Sequence, residues 1–194
     1  MERLDPARTA LLAMDFHESI VAQLGARASA PVERAATLLA GARAAKLAVF
    51  HVVLAFRAGY PELDPCGAMH ARLAAMGGGR FLGVPGADVV APLAPAADEP
   101  IVSKKRVSAF AGSDLDLLLR ARRVDTLVLA GIATSGVVLS TVRQAADLDF
   151  RVIVVHDACA DGDDEVHRVL TEKVFPRQAT VASAAELVAA LRGA

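Results

Sequence analysis

The stretch DTLVLAGIATSGVVLSTVRQAADL, residues 125–148, decides the fold of this chain. Its first seven residues, 125–131, are the most apolar run with the length of a strand, and residues 134–148 have the periodicity of a helix. A continuously apolar strand followed by a helix is typical of a parallel sheet whose two faces are both covered. The sequence therefore predicts an α/β fold.

The same alternation extends outward from this stretch in both directions. Further strands are predicted at residues 9–16, 47–56, 100–104, 151–156 and 180–182. Helices are predicted at residues 31–46, 68–76, 113–123 and 163–174, and after the capping-box pair Ser183 and Glu186. The irregular segment 57–100 holds most of the prolines and the run Gly77-Gly78-Gly79, and we expect it to line a site or an interface. Without repeats or linkers, residues 1–194 are predicted to form one domain.

The composition excludes several classes of protein. A hydrophobic fraction of 54% is too high for a disordered chain, and a formal net charge of -1 argues against binding to nucleic acids or membrane surfaces. An aromatic fraction of 4% argues against a platform that stacks on bases or sugars. The two cysteines form no C-x-x-C pair, and no signal-peptide pattern or membrane-spanning run is found. We therefore expect a cytoplasmic protein.

Charged residues that end the predicted strands are the candidates for function, because open parallel sheets bind ligands at the carboxyl ends of their strands. Asp15, Arg57 and Lys104 occupy such positions. Asp15 follows the apolar run 10–14, where a carboxylate needs a compensating cation, and Lys104 can supply one. The alternatives stay open, since Asp15 can be a cap or turn residue and Lys104, with two basic neighbours, can be solvated.

Two further features can bind an anion. Arg57 can hold a substrate carboxylate with both arms of its guanidinium, although a solvated arginine fits the position equally well. The loop GIATSG, residues 131–136, precedes a helix start, where exposed backbone N–H groups can bind an anion or an oxyanion. The alternative for this loop is a tight turn that uses glycine for backbone reasons.

These stretches together resemble the isochorismatase-like (cysteine hydrolase) superfamily. The resemblance rests on Asp15, on KKRVSAF at residues 104–110, on GIATSGVVLSTVR at 131–143 and on RVIVVHDAC at 151–159. It implies a three-layer, Rossmann-like fold with a mainly parallel sheet, usually assembled as a homodimer or homotetramer. It also implies hydrolysis of small molecules by an Asp, a Lys and a nucleophilic Cys.

The chain departs from this family at the nucleophile. In the family's G-x-x-T-x-x-C-V pattern the cysteine falls six residues after the glycine, and this chain has Val137 there. A valine side chain has no lone pair to donate, so thioester catalysis of that type is not available. Cys66 and Cys159 match no family position, while Ser135 and Ser140 can supply hydroxyls but have no evident base.

The resemblance still implies an enzyme, because true isochorismatases in the superfamily also lack the cysteine and keep the Asp and the Lys. They protonate a vinyl ether carbon and let water add, which needs an acid and no nucleophile. Asp15 would be that acid and Lys104 its electrostatic partner. Family geometry implies an oxyanion site at the backbone N–H groups of Ala133 and Val137, and a cis peptide between Ile132 and Ala133.

Metal chemistry is not expected. Nicotinamidases in the superfamily place a D-x-H metal motif after the second strand, where this chain has Ala55-Phe56-Arg57. The five histidines show no ligand spacing. We therefore predict no metal, no cofactor and no nicotinamidase activity.

Two functions remain open at this stage. The first is a hydrolase of a small acidic molecule, in which Asp15 and Lys104 act and Arg57 and Ser135 contact the substrate. The second is a catalytically inactive relative that binds a small ligand or a protein partner through the pocket that corresponds to the family's active site. Val137 favours the second function, because an apolar side chain at the attack position occupies the space of the nucleophile and excludes water from it.

Overall fold

A computed structural model of the chain describes residues 4–75 and 81–192. Its strands are β1 (Thr9–Met14), β2 (Ala48–Leu54), β3 (Ile101–Lys104), β4 (Thr126–Ile132), β5 (Arg151–Ala160) and β6 (Thr180–Ala182). They form one sheet in the order β3-β2-β1-β4-β5-β6, and all neighbouring strands in this sheet pair in parallel. The α/β fold with a parallel sheet that the sequence predicts is confirmed.

Helices cover both faces of this sheet. They are α1 (Glu18–Leu24), α2 (Ser29–Ala44), α3 (Ala68–Ala75), α4 (Leu115–Ala121), α5 (Leu139–Asp147), α6 (Asp164–Val169) and α7 (Ala184–Arg192). One apolar core lies between the sheet and α2 and α7, and a second lies between the other face and α4 and α5. None of the helices within the described ranges is long and apolar enough to cross a membrane.

Several predicted boundaries need correction. The predicted helix 134–148 is broken, because Thr134–Val138 form a wider turn in which Gly136 has a non-helical φ of -95° and ψ of -105°. Strand β5 runs four residues past its predicted end at 156, because the polar pair His156 and Asp157 interrupts the apolar run inside the strand. Helix α1 was not predicted, and it has no buried residue that could produce an apolar stripe.

Two other predictions concern the start of α7 and the extent of α3. The capping box at the start of α7 is confirmed, because the Ser183 N–H donates to Glu186 Oε2 at 2.8 Å and the Glu186 N–H donates to Ser183 Oγ at 3.2 Å. Helix α3 covers most of the predicted helix 68–76. Met76 and the Gly77-Gly78-Gly79 run lie outside the described residues.

The strand order reverses direction between β1 and β4. The chain proceeds from β1 outward through β2 to β3, then returns to β4 on the other side of β1 and proceeds outward to β6. The connections that leave β1 and β4 therefore diverge, and a cleft opens at the carboxyl ends of these two strands. The two backbones approach closely here, because a Cβ on Gly131 would lie 2.8 Å from the Met14 carbonyl oxygen.

Candidate active site

Asp15 follows the last residue of β1, at the edge where the cleft opens. Its backbone has a φ of 56°, a left-handed conformation that aspartate tolerates better than most residues. The Asp15 N–H still donates to the Val52 carbonyl of β2 at 2.8 Å. The backbone therefore stays attached to the sheet while the chain turns away, and the carboxylate is buried.

Lys104 brings a cation to this carboxylate from two strands away. It ends β3, and its Nζ lies 2.9 Å from Asp15 Oδ2. The same ammonium donates to the Arg106 carbonyl at 3.1 Å, and the residue is 2% exposed. A buried ammonium without such partners would be strongly unfavourable, so each charge requires the other. The structure thus joins the two residues that the sequence could only propose as a pair.

The second oxygen of the Asp15 carboxylate has no hydrogen-bond partner within residues 4–75 and 81–192, although it is buried. The nearest ionisable group is His17, whose Nε2 lies 3.8 Å from Oδ1. This nitrogen accepts the Leu54 N–H at 3.1 Å, while His17 Nδ1 lies 2.6 Å from Asp88 Oδ2.

These contacts assign the His17 tautomer. An imidazole nitrogen that accepts an N–H carries no proton, so the proton of the ring lies on Nδ1, facing Asp88. His17 Nε2 therefore cannot donate to Asp15. Of the two carboxylate oxygens, Oδ2 is held by Lys104, and Oδ1 accepts no hydrogen bond from the part of the chain that the structure describes.

The loop after β4 supplies the opposite wall of the cleft. The Ile132–Ala133 peptide is cis, as the family resemblance implied. Thr134 is fully buried and its Oγ1 lies 2.9 Å from His167 Nδ1, while the Ser135 N–H donates to Asp161 Oδ2 at 2.6 Å. These contacts from α6 and the end of β5 hold the loop in one position against the cavity.

Together these elements enclose a cavity of about 390 Å³, within the usual size range for small-molecule sites. Its charged lining residues are Asp15, Arg72, Lys104, Arg106 and Asp161, which leaves one net positive charge on the wall. Apolar side chains, including Leu54, Phe81 and Val137, form much of the remaining surface. The arrangement suits a small anion with an apolar body.

An Isochorismatase domain model matches residues 9–186 of the chain. The chain belongs to the isochorismatase family. The uncharacterized isochorismatase family protein YecD of Escherichia coli O157:H7 is 34% identical over 193 residues, which cover 98% of this chain and 100% of that protein. The maleamate amidohydrolase of Pseudomonas putida is 35% identical over 165 residues, covering 82% of this chain and 76% of that enzyme.

A solved structure of this family has the same fold. The isochorismatase family protein from Desulfovibrio vulgaris subsp. vulgaris str. Hildenborough superposes with a TM-score of 0.82 at 33% identity, covering 98% of this chain and 100% of that one. The chain is thus an isochorismatase-family hydrolase with a six-stranded parallel sheet.

Most of the residues that the sequence singles out meet in one place. Asp15, Lys104, Ala133, Ser135 and Val137 all line the cavity of this isochorismatase-family chain. The Val137 side chain is 2% exposed and lies in the apolar core that extends from the sheet to the cavity wall.

Arg57 does not join them, and this placement corrects the expectation that it lies at the substrate. Its side chain is 75% exposed and its guanidinium pairs with Glu62 Oε1 at 2.8 Å, outside the residues that line the cavity. Arg57 lies three positions past the end of β2, and there its side chain is directed to solvent.

Sequence reasoning missed four polar residues of the site: His17, Arg72, Arg106 and Asp161. His17 lies two residues past Asp15, and Arg106 two residues past Lys104, so proximity to the predicted pair was the available signal. Asp161 follows β5 directly, but its position became evident only with the true end of that strand. Arg72 has no signal beyond its helical spacing of three residues from Met69.

Neither thiol of the chain is placed as a nucleophile. Cys66 is exposed, Cys159 is buried in β5, and neither is among the described residues that line the cavity. Burial raises the pKa of the Cys159 thiol to about 12, so this thiol stays protonated and unreactive near neutral pH.

A thiol titration tests this assignment. At pH 8 the folded protein should react with one equivalent of Ellman's reagent at Cys66, and a second thiol should appear only after unfolding in guanidinium. The Cys66→Ser variant should show no fast thiol, whereas Cys159→Ser should keep it. Fast modification of Cys159 in the folded Cys66→Ser variant would contradict the assignment.

Proposed function

We propose that this isochorismatase-family protein hydrolyses a small carboxylate-bearing molecule by acid–base chemistry at Asp15, without a covalent thiol intermediate. The observation that carries the proposal is the uncommitted, buried Oδ1 of Asp15 beside an Oδ2 held by Lys104. Proton transfer to or from a substrate requires a group with this combination of fixed position and free lone pair.

The absence of a covalent step follows from the residue at the attack position. Val137 stands at the position of the cysteine in the family pattern, it lines the cavity, and its side chain has no nucleophilic atom. The nucleophile in the proposed reaction is therefore water. Lys104 keeps the carboxylate oriented and balances its charge whenever Oδ1 gives up its proton.

Two hydrolytic reactions can use this oxygen. With a vinyl ether, Asp15 first takes up a proton from solvent at Oδ1 and passes it to the vinyl carbon; water then adds to the resulting cation and releases a proton, which restores the balance. With an amide, Oδ1 takes a proton from the attacking water and returns it to the leaving nitrogen, while the backbone N–H groups of Ala133 and Val137 face the oxyanion. In both reactions the bond to the leaving group breaks after water has added.

The charge of the cavity supports an acidic substrate. Three cationic and two anionic side chains line it, whereas the chain as a whole has a net charge of -1. The relative from Pseudomonas putida is named for maleamate, which carries one carboxylate and one amide. A monoanion of this size fits inside the cavity and matches the single excess charge of the wall.

Replacing Asp15 by Asn tests the acid–base proposal. Turnover of isochorismate or maleamate, whichever the wild-type protein accepts, should fall by at least about 100-fold, because the amide cannot exchange a proton with the substrate. Circular dichroism confirms the fold of the variant, and the exposed Asp116→Asn serves as the matched control that keeps full activity. An Asp15→Asn variant that retains wild-type kcat would remove this mechanism.

A second function is favoured by the same valine. A protein whose attack position is filled by a buried hydrocarbon can bind a ligand or partner in the cavity without converting it. In that case the wild-type chain turns over neither isochorismate nor maleamate, although the cavity still accepts a small anion.

Placing the family thiol at position 137 tests whether the rest of the site can still support catalysis. The Val137→Cys variant should gain maleamate hydrolysis that iodoacetamide abolishes, because the Asp15–Lys104 pair and the loop would then act on a thiolate. Val138→Cys, a buried neighbour outside the cavity lining, is the matched control and should gain nothing. A folded Val137→Cys variant without thiol-dependent hydrolysis would show that the remaining machinery is not competent.

A further inference from the structure

Helix α3 contributes one face to the cavity. Met69, Arg72 and Leu73 line it together, and their spacing of three and four residues places them on the same side of the helix. Leu73 is buried against the neighbouring segment, whereas Arg72 is exposed at the rim. A guanidinium therefore stands at one end of an otherwise partly apolar cavity.

The other cations of the wall are already engaged. Lys104 pairs with Asp15 at 2.9 Å and also donates to the Arg106 carbonyl. Arg106 donates from one terminal nitrogen to the Lys105 carbonyl at 2.7 Å and from the other to the Glu62 carbonyl at 2.9 Å. Within residues 4–75 and 81–192, Arg72 makes no hydrogen bond or ion pair to protein. Its complete donor fork is available to a ligand.

The charges on the remaining wall orient an anion toward Arg72. Asp161 lines the cavity on the side of the loop after β4, where its Oδ2 accepts the Ser135 N–H. A ligand carboxylate is repelled by Asp161, and at Asp15 the Lys104 ammonium is already paired. The cavity is also lined by apolar residues, among them Leu54, Phe81 and Val137, that suit a flat hydrocarbon body.

We propose that Arg72 is the carboxylate-binding residue of the cavity and that its ligands are small planar monocarboxylates, bound with the carboxylate at α3 and the opposite end beside Asp15. The proposal deepens the proposed function, on which its account of substrate orientation rests. It gives to Arg72 the role that was one of the two alternatives for Arg57. The planar guanidinium fork matches a carboxylate with two parallel hydrogen bonds.

Binding of benzoate and of its neutral isostere benzamide tests the proposal without any need for turnover. By calorimetry or ligand-observed NMR, the wild-type protein should bind benzoate more tightly than benzamide. Arg72→Gln should weaken benzoate binding by about tenfold, the lower end for a charge-assisted contact because Arg72 is exposed, and should change benzamide binding by less than twofold. Raising the salt concentration should weaken benzoate binding to the wild-type protein only.

Arg57→Gln is the matched control and should leave both affinities unchanged. Equal benzoate affinity in the wild-type protein and a folded Arg72→Gln variant, a selective loss in Arg57→Gln, or no benzoate binding by the wild-type protein would each overturn the proposal. The result is distinct from a failure of the proposed function. Arg72-dependent binding in a protein without turnover supports the carboxylate site alone, and turnover that depends on Asp15 but not on Arg72 rejects it.

Discussion

A single buried ion pair connects the architecture of this protein to its chemistry. The Asp15 carboxylate and the Lys104 ammonium lie 2.9 Å apart, both withdrawn from water, at the ends of strands that do not neighbour each other in the sheet. Burial of either charge alone would cost several kcal/mol, so β1, β2 and β3 must keep a register that brings the two groups together. In this pair one oxygen of the Asp15 carboxylate is held by Lys104, and the other has no hydrogen-bond partner among the described residues.

The position of this pair follows from the topology of the sheet. The strand order reverses between β1 and β4. The connections that leave these two strands diverge, and the cleft between them is where open parallel sheets bind their ligands. Gly131 permits the close contact with Met14, and the loop that follows forms the opposite wall. His17 completes the arrangement because its tautomer, set by Leu54 and Asp88, withholds a donor from Asp15 Oδ1.

The sequence could predict the strands and site residues that have a local signal. Continuous apolar runs gave the strands, and a charged residue directly after such a run gave Asp15 and Lys104. Arg57 satisfied the same rule but faces solvent, because the direction of a chain after a strand end depends on the connection that follows. Arg72 had no local signal at all, since its relation to the cavity depends on how α3 packs across residues distant in sequence.

Asp15 and Lys104 stabilise each other as opposite charges inside the protein. A double-mutant cycle with Asp15→Asn and Lys104→Met, followed by urea unfolding at pH 7, measures that interaction directly. Each single variant should lose about 3 kcal/mol or more, and the double variant should lose clearly less than the two losses combined, with a coupling free energy of about 2 kcal/mol or more. Additive losses, with coupling below about 0.5 kcal/mol, would show that the two side chains do not depend on each other and would contradict the account.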